Sequence, residues 1–310
     1  MRFHFATPRS ISALKAAASK LRKGSPELTQ TAALNRAAEN YGFANYQHAQ
    51  RILPDVLPAL TLRCRWHDET GSGTEVLKYP MCWTAEQVVA KHLKGARIAA
   101  FEAFDGGLFH SISASSRYMA RYWLVQALRE LMVMEATALR PDLVKNRLPK
   151  VRQEFSGIRY YEGVQPPGAD HLSAWYDPLT NATLLMDEPY LEKGEAHNRV
   201  ADRMAWCERF NFVERASSWG GTHLPPRTRL FLFAKPDSGI DLAAIETTLN
   251  TLPDDFGSAD GDWQGYSENV RPGGSEHARQ AVRQLIDIGY LDEQSEVTQD
   301  GHLRVVRLQP

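Results

Sequence analysis

The sequence predicts an α+β fold, with a small three-helix N-terminal module followed by two halves that each run strand-strand-helix-strand-strand-helix, with antiparallel sheets. Three observations carry this. Apolar residues recur at helical spacing through residues 10–53, and alternation of period two takes over after Pro54 and Pro58. Residues 115–139 then form an apolar stretch too wide around its circumference for a helix resting on a surface. There Met119, Tyr122, Trp123, Leu124, Val125, Leu128, Leu131, Met132, Val133 and Met134 cover more than half of a helical wheel, so the helix belongs in a core and Leu128 and Met132 are expected to be inaccessible. Ser115 or Ser116 supplies an N-cap oxygen, and Arg117, Arg121 and Arg129 form a narrow charged seam.

In the module (residues 1–53), Ser10 caps a first helix with Leu14, Ala17, Ala18 and Leu21 on one face and Gly24 past its end. A second helix starts near Thr29 and runs through Ala33, Ala37, Ala38 and Tyr41 to Gly42. Phe43 plugs the turn, and Asn45 caps a third helix carrying Tyr46, Ala49, Ile52 and Leu53. The pair joined by Gly42-Phe43 fits a helix-turn-helix that offers Gln47, His48, Gln50 and Arg51 to a groove; a plain helical miniature docked on a protein surface fits the same pattern and is commoner. Charge is uneven. Residues 1–52 hold Arg2, Arg9, Lys15, Lys20, Arg22, Lys23, Arg36 and Arg51 against Glu27 and Glu39, a balance of +6, which leaves −7 on the remainder of a chain whose total is −1. Such asymmetry is expected of a module that meets nucleic acid or an acidic protein, with Lys15, Lys20, Arg22, Lys23, Gln47, His48 and Arg51 as the contact residues. Docking on the chain's own acidic body is the competing outcome.

The first half (54–140) opens with alternating residues 61–67, a Gly- and Ser-rich turn at 68–73 and a returning strand at 74–79. Thr84 caps a short helix over 85–93, and Asp105-Gly106-Gly107 joins strands 97–104 and 108–113 before the core helix. Residues 141–155 read as an irregular basic connector. The second half (156–253) repeats the element order: strands at 171–176 and 183–186 around Asp177-Pro178, a helix over 195–210, strands at 211–215 and 229–234, and a helix over 242–252 capped by Asp241. The two halves suggest pseudo-symmetric layers. In the tail (254–310), residues 254–274 read as a long loop, 277–288 as an amphipathic helix and 297–308 as a hairpin around Asp300-Gly301.

A chain of 310 residues with 43% hydrophobic side chains can fill a large core, so disorder is excluded. No apolar run reaches the ~18 residues of a membrane span, and residues 1–8 lack the apolar core of a signal peptide, so no membrane association and a cytoplasmic location are expected. Cys64, Cys82 and Cys207 show no Cys-x-x-Cys spacing and are expected to be buried thiols. Phosphate-cradling loops, Gly-x-Gly-x-x-Gly, His-Glu-x-x-His and Gly-x-Ser-x-Gly are all absent, and no cofactor or metal is expected.

The best polar constellation is Asp170-His171 and Asp177 on one strand with Asp187 and Glu188 at the end of the next, a set whose His and carboxylates can meet at one sheet rim as an acid/base pair or hard metal ligands. Ordinary turn chemistry at Asp177-Pro178 and Glu188-Pro189 explains the same residues. A loop at 217–226 has Gly220 and Gly221 to free its backbone, and Trp219 and His223 to line a pocket. Tyr160, Tyr161, Trp175 and Tyr176 suit base stacking, although aromatic residues at alternate strand positions more often fill a core.

Three runs carry a resemblance: Met-Glu-Ala-Thr-Ala-Leu-Arg-Pro at 134–141, Asp-His-Leu-Ser-Ala-Trp-Tyr-Asp at 170–177 with Leu-Leu-Met-Asp-Glu-Pro-Tyr at 184–190, and the module's Leu14-Lys15-Ala16 through Gly42-Phe43 and Asn45-Tyr46. They resemble an uncharacterised bacterial family of plasmids and integrated elements, described as a domain of unknown function with a glyoxalase-related helical amino terminus, over residues 10–253. The resemblance implies a mobile-element or defence-linked role and transfers no catalytic residues. Two functions are therefore expected in order: a non-enzymatic interaction protein whose module contacts nucleic acid or an acidic protein, and, as the alternative, a metal-dependent or hydrolytic enzyme built on His171, Asp177, Asp187, Glu188 and His223.

Overall fold

The computed structural model describes residues 9–91, 95–156, 158–189, 199–223, 229–253, 263–287, 296–297 and 303–304. Ser10, Thr29 and Asn45 each turn a side-chain oxygen onto the amide three residues ahead, at 3.2, 3.2 and 2.8 Å, and so start α1 (Ile11–Gly24), α2 (Gln30–Asn40) and α3 (Tyr46–Ile52). Gly42, at φ +84, makes the turn between the last two, a conformation that favours glycine. Ile11, Leu14, Ala18, Ala33, Ala37, Ala38 and Ala49 close a core that belongs to the module alone.

The first sheet grows from a long hairpin. β1 (Ala59–Asp68) and β2 (Gly71–Pro80) pair over their whole length, from Ala59 opposite Pro80 to Asp68 opposite Gly71. After α4 (Ala85–Val89), whose Thr84 and Gln87 form a capping box, the chain makes a single 3-10 turn (Arg97–Ala100) and a second hairpin, β3 (Phe101–Phe104) and β4 (Gly107–His110). β4 lies beside β1 in parallel, with Leu62 opposite Leu108, so this sheet is mixed and not purely antiparallel. Ser116 then caps α5 (Arg117–Thr137).

α5 is the layer that both sheets share. Leu128 is 0% and Met132 2% exposed, and they belong to one core cluster with Leu62 and Leu108 of the first sheet and Leu184 and Met186 of the second. The second sheet runs β10-β11-β9-β8-β5, all antiparallel: β5 (Arg140–Asp142), β8 (Ser173–Tyr176), β9 (Thr183–Asp187), β10 (Val213–Ser217) and β11 (Leu230–Ala234). Trp175, Leu184, Met186 and Leu232 turn to the α5 side, while Leu185, Phe231 and Phe233 turn to α7 (Val200–Phe210) and its Trp206. α8 (Leu242–Leu249) covers the α5 side with Ile245. The halves repeat element order but not topology. The centre of the first sheet pairs its first and fourth strands in parallel, whereas the second pairs its second and fourth strands antiparallel, so the layers are not pseudo-symmetric copies.

Three stretches differ from expectation. Within the presumed connector, the short α6 (Val144–Arg147) is followed by β6 (Lys150–Phe155), which pairs with β7 (Ile158–Gly163) as a separate two-stranded ribbon. The presumed loop at 254–274 contains β12 (Tyr266–Pro272), an edge strand on β2 whose polar composition suits a strand paired on one side only. Cys82 is exposed, unlike Cys64 and Cys207. α9 (Gly274–Asp287) follows, and β13 (Glu296–Val297) pairs with β14 (Leu303–Arg304) where a hairpin was expected; residues 298–302, 305–310, 92–94, 195–198 and 224–226 of the predicted elements lie outside the described residues. No described helix is long and apolar enough to cross a membrane.

Candidate functional site

The module presents its charge outward. Lys15, Lys20, Arg22, Lys23, Arg36 and Arg51 are exposed, as are Gln47 and His48. Among the described residues none of these six cations pairs with a carboxylate; Arg22 instead donates to the Gln30 amide oxygen at 2.8 Å. His48 accepts the Ala44 amide proton at 3.1 Å through Nδ1, which closes the turn. Arg9 reaches the body, where it pairs with Glu135 at 2.6 Å.

A second, concave site lies where the loop after β10 meets α5. Glu188, 0% exposed, accepts protons from the Thr222 amide (2.7 Å), the Thr222 hydroxyl (2.8 Å) and the His223 amide. Arg129 of α5 donates to the Gly221 carbonyl and places its guanidinium 4.5 Å from the Trp219 ring centre. Burial pushes the Glu188 carboxyl up, against the opposing pull of its three donors and of Arg129. Gly221 has φ +74, and a Cβ there would collide with the Glu188 carboxyl group. The loop is thus fastened to α5 and delivers His223.

The His223 ring stacks on His171, centroids 3.5 Å apart and planes 8° from parallel. Tyr122 donates to the His223 carbonyl at 3.2 Å, and Gln126 reaches it through Nε2 at 3.4 Å. The Gln126 Oε1 atom is buried and has no partner among the described residues. Burial, followed by the positive fields of His171 and Arg97, lowers His223 to about 4, with Asp170 opposing; the ring is therefore neutral near pH 7. Glu130 accepts the Arg97 and Ile98 amide protons at 2.9 Å each, and burial raises its carboxyl to about 7. Asp187, raised to about 7 chiefly by burial, accepts the Asp170 amide proton at 3.1 Å. The resulting cleft of about 350 Å³ is lined by Arg97, Gln126, Glu130, Asp170, His171 and His223.

The structure brings His171, Asp187, Glu188 and His223 to one end of the β8–β9 hairpin and leaves Asp177 at the other. β8 runs from the His171 end to Asp177, so two residues six apart flank an extended strand and cannot share a rim. Asp177 instead accepts from the Leu179 amide (2.9 Å) and the Thr180 hydroxyl (2.8 Å) inside the turn. Asp187 and Glu188 also split between faces, as successive strand residues do: Asp187 feels Arg203 of α7, and Glu188 feels Arg129 of α5. Among the described residues no three His, Cys, Asp or Glu side chains converge in a way that holds a metal ion. Of the residues missed, Tyr122, Gln126, Arg129 and Glu130 come from α5 and Arg97 from the 3-10 turn before β3. The available signal was polar residues inside a helix that is apolar almost all round, since buried polar groups need partners.

Comparison of the chain with protein-family models, with curated proteins and with solved structures found no match.

Proposed function

We propose that the protein is a non-enzymatic nucleic-acid-binding protein, acting in the mobile-element or defence setting that the family resemblance implies, with the N-terminal module as its contact surface. The observation that supports it is the module's six exposed cations, free of carboxylate partners among the described residues and carried on a unit with its own core. Polyphosphate neutralises such a surface and releases counterions, so binding to a duplex or single strand should weaken steeply between 50 and 200 mM salt, on the order of tenfold or more for several contacts. The triple reversal K20E/R22E/K23E should weaken binding and flatten its salt dependence. Salt-insensitive or undetectable binding would transfer the module to an acidic protein partner.

The enzymatic reading rests on a different observation, the neutral His223 stacked on His171 beside the buried Gln126 oxygen. A neutral imidazole at a cleft can accept a proton from a bound molecule, and an amide oxygen can orient a donor on it. On this reading turnover of a substrate falls with H223A and rises with pH through about 4, the value to which His223 is lowered. Hydrolysis that survives H223A, or none found with ester and phosphoester panels, removes it.

A further inference from the structure

The Gln126 side chain, 1% exposed, lines the cleft beside the two histidines, and its Oε1 atom has no partner among the described residues. The other end of the amide fixes which atom is left over. Nε2 faces the His223 carbonyl, to which Tyr122 also donates, and a carbonyl can only accept. A flipped amide would set oxygen against oxygen. Buried polar atoms are seldom left unmatched, so Oε1 is an acceptor held ready for a donor that enters the cleft.

The rest of the lining has the same polarity. Several of its donors are spent, the Thr222 hydroxyl and amide and the His223 amide on Glu188, and the Ser173 hydroxyl on the Met186 carbonyl at 3.3 Å. Its acceptors are Gln126 Oε1 and the carboxyl groups of Glu130 and Asp170, and its one Arg or Lys among the described residues, Arg97, is exposed. The histidine rings can serve either way. Glu130 adds the sign of charge. Burial, with repulsion from Glu188, outweighs the Arg97 and Ile98 amides and the Arg97 charge, so its carboxyl ionises only near 7. Asp170, whose Oδ2 lies 4.0 Å from His171 Nε2, and the neutral His223 share the cleft with it. A buried carboxyl in this state gains most from a cation brought beside it. Among the described residues no three ligating side chains converge on a metal ion, so the fitting cation is one that carries its own N–H donors.

We propose that this cleft binds a small organic cation, a primary ammonium or guanidinium group, whose N–H donors meet Gln126 Oε1 and the carboxylates of Glu130 and Asp170. At about 350 Å³ the space takes roughly ten non-hydrogen atoms, allowing about 30 Å³ for each. The inference rests on the cleft of the enzymatic reading but not on turnover there, and it is independent of the module.

The test uses the full chain at about 150 mM salt, which screens its exposed charges, and four probes of similar size: n-butylammonium, n-butylguanidinium, butyramide and butyrate. Calorimetry reads affinity, and the His223 imidazole resonances report binding at this place. One of the two cations should bind at least tenfold more tightly than butyramide, and the tighter of them fixes the head group; butyrate should not bind. Q126L should weaken the cation at least fivefold. Because the cation displaces a proton from Glu130, its affinity should rise several-fold from pH 6 to 8, and E130Q should remove most of that rise, with Asp187 supplying the remainder. Equal affinity for butyramide and the cations, a preference for butyrate, or no response of His223 to any probe overturns the inference. So does a Q126L that folds and binds like the parent. If Q126L does not fold, the ranking of the four probes on the parent decides. Cation binding without turnover of ester and phosphoester panels removes only the enzymatic reading, whereas turnover that needs His223 and ignores substrate charge removes only this inference.

Discussion

The rings of His171 and His223 lie face to face at 3.5 Å, closer than two imidazolium ions would tolerate. Protonation of one therefore opposes protonation of the other. His223 is expected to titrate near 4 in an imidazole NMR titration. His171→Ala should move that titration upward but short of the ordinary 6.5, since burial, the larger cause, remains. The folded value lies below the unfolded one, so this contribution to stability is present above about 6.5 and lost as pH falls towards 4. A His223 that titrates at 6.5 in the folded protein contradicts the stack.

Glu130 has the opposite sign. Its carboxyl is raised from 4.5 to about 7, so the folded state holds a proton that the unfolded state has released, and stability declines as pH rises through that window. The difference in melting temperature between Glu130→Gln and the parent should therefore shift in favour of the variant from pH 4.5 to 7, whatever constant offset the substitution brings. A difference that stays flat with pH would show that Glu130 ionises as it does in water.

Leu128 is fully buried on α5, in the core cluster that holds residues of both sheets. Leu128→Ala should cost about 2–5 kcal/mol, read as a lower denaturant midpoint with an unchanged slope. Normal stability with a lost partner would mean that α5 is an interface and not the centre of the core.

Gly221→Ala forces an L side chain into a left-handed backbone and against the Glu188 carboxyl. Displacing that carboxylate strands three buried donors, so the loss should be at least ~2 kcal/mol. It should also free His223 from His171, which the same NMR titration would read as a shift of its pKa towards 6.5.

What was legible in the sequence was what local periodicity encodes. α5, the module and the element order of both halves appear because their apolar spacing and caps are local. Asp177 lies away from His171 because the extended β8 separates them, and proximity in the chain does not show which end of a strand a residue occupies. The β6–β7 ribbon was hidden by its lack of any core-facing stripe: its aromatic residues Tyr160 and Tyr161 face solvent, while Trp175 alone of the four aromatic candidates is fully buried. Glu75 and Glu188 are buried carboxylates whose partners, Arg117 and Arg121 for one and the Thr222 and His223 amides for the other, lie 34 to 46 residues away. No window of sequence contains both members of such a pair.

β12 brings a consequence for how the chain is made. Ser267 donates to Glu75 at 2.6 Å and accepts from Arg117 at the same distance, across a separation of 192 residues from Glu75. On a ribosome moving at roughly 5–20 residues per second, the edge of β2 emerges about 10–40 seconds before the strand that will cover it. During translation that edge is an open template for a neighbouring nascent chain. Chains stalled ahead of Tyr266 should therefore be chaperone clients and aggregate on release, even though the helices and strands they already carry are complete.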